Sequence, residues 1–412
     1  MSAALIRRRH VFYVEGYDPQ GASGYYSLFR REFERFKKLW SLRGSVSEPE
    51  QDAHAHATSW MVEAESPNWR VDVTYEFLDW GDIVGRDLRH SMLWRLPQVL
   101  LWLASYLVTG ALFRIVWRSW RFSMFLVGSF VLLAIWLAIA ALGGRYVWRV
   151  LSETLNVTPV LSIPAGVICG FLIFLSLQWV ADRMYVAHLV NAWLFLYDYL
   201  RGLRPDFERR MDAFAARLVA AVHAGEADEI LVVGHSGGTL SAPIMVEKAL
   251  ALDPQLGRRG TRVVLVTLGT VIPLVTAHPR AKGLRDMLAR LAHQDGIRWV
   301  DFQSRQDSLN FFAADPTKDS GIGVYPPAAN PIIFHVNLRA LLLPETFERF
   351  RWDFFRVHFQ FIMANDRPAR YDYYLFLCGP IPLMFWPRNR RPTDEVFGPD
   401  GSLKLDISEL RV

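Results

Sequence analysis

The stretch of this sequence best suited to covalent chemistry is Gly234-His235-Ser236-Gly237-Gly238, which follows the apolar run Ile230-Leu-Val-Val233. A strand feeding this spacing into a helix forces a sharp turn with the serine at its apex. Any Cβ two positions before or after the serine would strike the neighbouring backbone, and Gly234 and Gly238 meet that need. The turn holds the Ser236 hydroxyl clear of the sheet. The backbone N–H groups and dipole of the following helix then face a negative charge developing on a bound carbonyl. The chemistry implied is acyl transfer through a serine nucleophile. His54 and His56 form a short His-x-His in a polar segment and read as solvated loop, not as metal ligands. Cys169 and Cys378 are far apart and form no ligand or disulfide pattern, so neither a metal nor an organic cofactor is expected.

Elements able to position such a turn alternate along the chain. Val11–Val14 reads as a first strand, and Gly24–Leu42 as a helix with Tyr25, Leu28, Phe29, Phe33, Phe36 and Leu39 on one face. Ser45–Asn68 reads as polar linker. Val71, Val73, Tyr75 and Phe77 alternate with polar residues in a second strand. Farther on, Pro205–His223 and Thr239–Leu252 read as helices, and Glu229–Val233, Arg262–Leu268 and Ile297–Phe302 as strands. The segment after Pro380, rich in proline and arginine, reads as irregular. The predicted fold class is α/β, a mostly parallel sheet flanked by helices.

In this context the Gly-x-Ser-x-Gly turn resembles the nucleophile elbow of the α/β-hydrolase superfamily, and the resemblance covers the two flanks of the chain, outside 86–183. Family members order their catalytic residues Ser, Asp, His. The resemblance implies Ser236 as nucleophile and Asp307, in the loop beyond the strand Ile297–Phe302, as the acid; Asp301, Asp315 and Asp319 are poorer placed. His358 and His335 compete for the base. His358 is preferred because it lies beside a late helix, whereas His335 alternates within an apolar run. His235 reads as a local packing or hydrogen-bonding residue. The family's second oxyanion donor comes from the loop after an early strand, here Glu15-Gly16-Tyr17-Asp18, so the amides of Gly237 and Tyr17 are the implied pair, with Glu15 standing where a histidine is usual.

The intervening segment 86–183 is of another kind. Phe122–Gly144 carries no charge and is long enough to cross a hydrocarbon layer of about 30 Å. Thr154–Ala181 is likewise uncharged, with its most apolar part at 160–181. Residues 90–118 are shorter in apolar run and could span or lie flat; they mix Trp94, Trp102 and Trp117 with Arg95, Arg114 and Arg118, a composition suited to a helix lying in the membrane interface. Parity then constrains the topology: flanks that share one sheet require an even number of crossings. The sequence therefore divides into 1–85 and 184–379 as two parts of one domain, 86–183 as a membrane insertion and 380–412 as a tail. Arg114, Arg118, Arg121 and Arg183 on the domain side, against Arg145 and Arg149 opposite, favour a cytoplasmic domain.

Composition agrees with a partly membranous protein. Of 412 residues, 51% are apolar and 21% charged, with a formal net charge of +5, which excludes a disordered chain and gives no footprint for nucleic acid. The expectation is a two-span, membrane-anchored serine hydrolase of esterase or lipase type. It would cleave a carboxylic ester or thioester, with the bilayer and a lipid or acyl ester as its partners. The alternatives are an acyltransferase with the same three residues and an inactive scaffold or binding protein of this fold.

Overall fold

The computed structural model describes residues 5–18, 20–90, 92–183, 186–258, 260–319 and 326–406. In chain order, β1 (Arg8–Val14) leads to α1 (Gly21–Trp40), then β2 (Arg43–Val46), β3 (Glu50–Asp52), β4 (Ala57–Ser66) and β5 (Trp69–Leu78). Next come α2 (Gly81–Leu88), α3 (Met92–Val108), α4 (Ala111–Arg118), α5 (Trp120–Arg149), α6 (Pro159–Arg183), α7 (Val186–Leu200) and α8 (Pro205–Ala224). The chain continues through β6 (Glu229–His235), α9 (Gly238–Leu252), β7 (Arg262–Leu268), α10 (Ile272–Thr276), α11 (Lys282–Ala292), β8 (Ile297–Ser304) and β9 (Ile332–Val336). It ends with α12 (Pro344–Phe350), α13 (Phe354–Phe359), α14 (Tyr373–Cys378), α15 (Phe385–Arg388) and α16 (Thr393–Val396).

One sheet runs β2-β4-β5-β1-β6-β7-β8-β9, with β3 beside β4. From β5 to β9 all pairings are parallel, and β2, β3 and β4 add an antiparallel edge. Strand β1 pairs with β5 before the insertion and with β6 after it, so both flanks build a single sheet. Val232 and Val233 of β6 and Val264 and Leu265 of β7 are fully enclosed, as expected of parallel strands covered on both faces. One face carries α1, whose Phe29, Phe33 and Phe36 pack with Tyr75 and Tyr374. The other face carries α8, α9 and α11.

Two segments differ from the sequence reading. Ser45–Asn68 is not linker: β4 alternates buried Trp60, Val62 and Ala64 with outward Met61 and Glu63, and its polar outer face hides a strand that is buried on one side only. The segment from Pro380 to Leu405 packs into the core with Leu383, Trp386, Val396 and Phe397 buried. The guanidinium of Arg9 pins it, donating to the carbonyls of Gly379 and Ile381 while paired with Glu229 at 2.8 Å. Residues 407–412 lie outside the described residues.

The insertion contains two helices long and apolar enough to span a membrane, Trp120–Thr154, where a π-helical turn extends α5, and Pro159–Ser176 in α6. They pack antiparallel through small residues. A Cβ on Gly144 would lie 2.6 Å from the Gly166 carbonyl, and one on Gly170 would lie 2.8 Å from that of Ala140. These backbones approach as closely as glycine allows, the contact that lets helices associate where lipid offers no hydrophobic drive. Helices α3 and α4 bend by 76° at Gly110, which sits at φ +70°. Trp102 and Tyr106 of α3 are buried against Trp193 and Tyr197 of α7, while Trp117 of α4 is 94% exposed. The pair therefore braces the insertion on the domain with one face and leaves an apolar face outward.

Candidate functional site

Ser236 joins β6 to α9 at φ +57°, a left-handed conformation rare for a residue with a side chain. Its neighbours require that strain. A Cβ on Gly234 would lie 2.1 Å from the Gly238 carbonyl oxygen, and one on Gly238 would lie 2.3 Å from that of Val14. The Ser236 amide donates to the Leu268 carbonyl at 3.0 Å. Thr239 reinforces the turn, its hydroxyl donating to the Ser236 carbonyl at 2.6 Å and accepting from the Val271 amide at 3.2 Å. Strain held this firmly at one residue marks a position that the surrounding fold over-determines.

His358, on the single-turned α13, is buried, and its Nδ1 lies 2.7 Å from a carboxylate oxygen of Asp307. Asp307 is itself buried in the loop after β8, where its other oxygen accepts from the Leu309 amide at 2.8 Å. An acidic partner on Nδ1 fixes the imidazole with Nδ1–H, which leaves Nε2 as the acceptor nitrogen. That Nε2 is buried and, among the described residues, without a hydrogen-bond partner. Close approach to the ring requires Gly269, where a Cβ would lie 2.8 Å from His358 Cε1. Ser236 and His358 line one cavity, although no hydrogen bond joins them among the described residues.

The loop after β1 meets the elbow backbone to backbone. A Cβ on Gly16 would lie 3.0 Å from the Gly237 amide nitrogen, and one on Gly237 would lie 3.0 Å from that of Tyr17. The two amides thus sit side by side at the start of α9. Glu15 anchors this loop from below: its fully buried carboxyl accepts from the Trp80 amide at 3.0 Å, and its carbonyl accepts from the Trp80 indole at 2.9 Å. Burial, then the Asp79 carboxylate beside it, pushes the Glu15 acid well above the usual carboxylate range. Glu15 therefore serves as a buried structural group that ties the loop to Trp80.

The cavity has a volume of about 680 Å³ and draws its walls from both parts of the protein. Phe122 and Phe125 come from the first two turns of the long apolar helix α5, and Leu189 and Trp193 from α7. Phe125 meets Phe354 of α13 edge-on at 4.7 Å, so α5 touches the helix that carries His358. His188 of α7 lies against the Tyr17 ring at 5.6 Å and hydrogen-bonds the Tyr17 backbone. Sequence reasoning missed these contributions because a long apolar helix gives no signal that its first turns face the site.

The remaining sequence candidates fall elsewhere. His335 is exposed on the edge strand β9, tilted against Phe312 at 4.7 Å, and does not line the cavity. Its apolar neighbours suggested burial, but β9 is the last strand of the sheet and leaves that face open. His235 is buried beneath the elbow, in contact with the His358 ring at 4.6 Å and with its carbonyl at 3.2 Å, and burial holds its imidazole well below the usual range. Asp301 bonds Thr267 and Gln303 inside the sheet, and burial raises its acid to about 7. His54 and His56 are exposed in the β3–β4 turn, and among the described residues no group of three or more His, Cys, Asp or Glu is arranged to hold a metal. Comparison with protein-family models, with curated proteins and with solved structures finds no match for this chain.

Proposed function

We propose that this protein is a membrane-anchored serine hydrolase of α/β-hydrolase type that cleaves a carboxylic ester or thioester of a lipid or acyl substrate. One observation carries the reading: a serine held at φ +57° shares a cavity with a histidine whose far nitrogen is bonded to a buried carboxylate. In the reaction, Ser236 Oγ attacks the acyl carbon while His358 Nε2 takes its proton. The amides of Gly237 and Tyr17 donate to the carbonyl oxygen as it becomes an anion. Collapse expels the alcohol or thiol, which leaves with the proton from His358. Water then attacks the acyl-enzyme by the same route, releasing the acid and restoring the serine. Asp307 stabilises the imidazolium and keeps its orientation throughout.

A fluorophosphonate probe tests the nucleophile: it labels the wild-type chain at Ser236 and leaves Ser236→Ala unlabelled, and equal labelling of both defeats the assignment. The lack of a Ser236–His358 hydrogen bond favours a competing reading, a scaffold of this fold without turnover. That separation also suits a resting enzyme, in which such bonds commonly tighten only with substrate bound. Acyl transfer to another acceptor uses the same residues and is distinguished by the products formed when alcohols are added. The same reading puts the catalytic domain on the cytoplasmic side, supported by Arg114, Arg118 and Arg121 at its end of the hairpin.

A further inference from the structure

The cavity that holds Ser236 has an uneven chemistry. Among the described residues, no lysine or arginine lines it, and its one acidic residue is Asp18. Asp18 is half-buried and held in place: its carboxylate accepts from the Tyr25 hydroxyl at 2.9 Å and from the Gln20 amide at 3.0 Å. Burial holds His188 and His235 below the usual imidazole range, which keeps both uncharged, and His90 stacks on Trp94 at 4.6 Å. Nearby Arg204 is paired with Asp87 and Asp206. A phosphate or carboxylate brought into this space would meet Asp18 and find no cation, a cost that an uncharged group avoids.

The apolar wall points to where the substrate comes from. Helix α5 has 30 residues and spans about 45 Å, more than the roughly 30 Å of hydrocarbon, so part of it must project beyond the bilayer. Its first two turns supply Phe122 and Phe125 to the cavity, and α7 adds Leu189 and Trp193. An acyl chain lying along these side chains would stay in apolar surroundings from the membrane to the serine.

Resting on the serine hydrolase reading, we propose that the substrate is an uncharged acyl ester taken from the bilayer, its chain laid against the α5–α7 wall and anionic head groups rejected by Asp18. The insertion is then part of the acyl site as well as an anchor. The test is competition against fluorophosphonate labelling of the full chain in neutral detergent, using a monoacylglycerol, a lysophosphatidate and an acyl-coenzyme A of the same chain. The uncharged ester should compete about tenfold better than either anion. Asp18→Asn, which keeps the hydrogen-bonding shape, should narrow that gap about threefold, the scale of a half-exposed charge interaction. Leu189→Trp, which fills the wall, should shift preference from hexadecanoyl toward octanoyl esters in a neutral series. Anions that compete as well as the monoacylglycerol, an unmoved gap in Asp18→Asn, or an unmoved chain profile in Leu189→Trp would each overturn the proposal while labelling at Ser236 still stands. Labelling that survives Ser236→Ala defeats the hydrolase reading itself and takes this inference with it.

Discussion

At the scale of single residues, conformational strain and protonation dominate. Ser236 occupies the left-handed region that glycine enters freely. Ser236→Gly should therefore abolish probe labelling yet stabilise the fold by about 1 kcal/mol, read as a higher unfolding midpoint. A drop in midpoint would show that the serine is not strained. Asp307→Asn should slow labelling about a thousandfold with little change in folding, because the wrong imidazole tautomer is then favoured. Buried histidines give a second expectation. Burial depresses His235, and His278 is pushed down to about 4, first by burial and then by Arg280, Arg114 and Arg285. Both are neutral when folded, whereas in the unfolded chain they take up protons near pH 6.5. Stability should thus be lost as the pH falls below about 6.5, with His278 alone contributing about 2 kcal/mol of loss by pH 5. Unfolding followed against pH should show His278→Gln flattening that slope, and an unchanged slope would refute the assignment.

Among elements, the hairpin is the most sharply specified. Gly166 faces α5 so closely that a Cβ would lie 2.7 Å from the Gly144 carbonyl, whereas Gly128 in α5 has open space around it. Gly166→Leu should destabilise the detergent-solubilised protein by about 1–3 kcal/mol, and Gly128→Leu should leave it nearly unchanged. Equal effects would mean that the helices are not in contact there. Several elements could be read from the sequence because periodicity and burial coincide in them: β7 occupies Arg262–Leu268 as expected, and α8, α9 and β6 differ by a few end residues. The antiparallel edge could not be read so easily. With one face in water, β4 shows only half the apolar content of a buried strand, and its polar residues resemble a loop's.

For the whole molecule, the pairing of β1 with β6 across the insertion sets the topology. If α5 and α6 both cross a membrane, the two flanks lie on one side of it and the α5–α6 connection on the other. In a Cys169→Ser background, a membrane-impermeant maleimide should reach Leu155→Cys and Glu226→Cys from opposite sides. Both positions are exposed, and Cys378 is buried, so labelling from the same side would break the two-span arrangement.

The sequence alone determined what is local. The run of small residues around position 236 dictates a tight turn wherever it is placed, and two long uncharged segments are helical and apolar whatever surrounds them. Tertiary structure decided which distant groups meet. That His358 and not His335 bonds Asp307 depends on the sheet ending at β9, which leaves His335 on an open edge and folds α13 back over the elbow. That α5 lends Phe122 and Phe125 to the same cavity follows from the packing of its first two turns against the α13 end of the domain. Pattern along a chain records the burial of each residue, but not the identity of the neighbours that bury it.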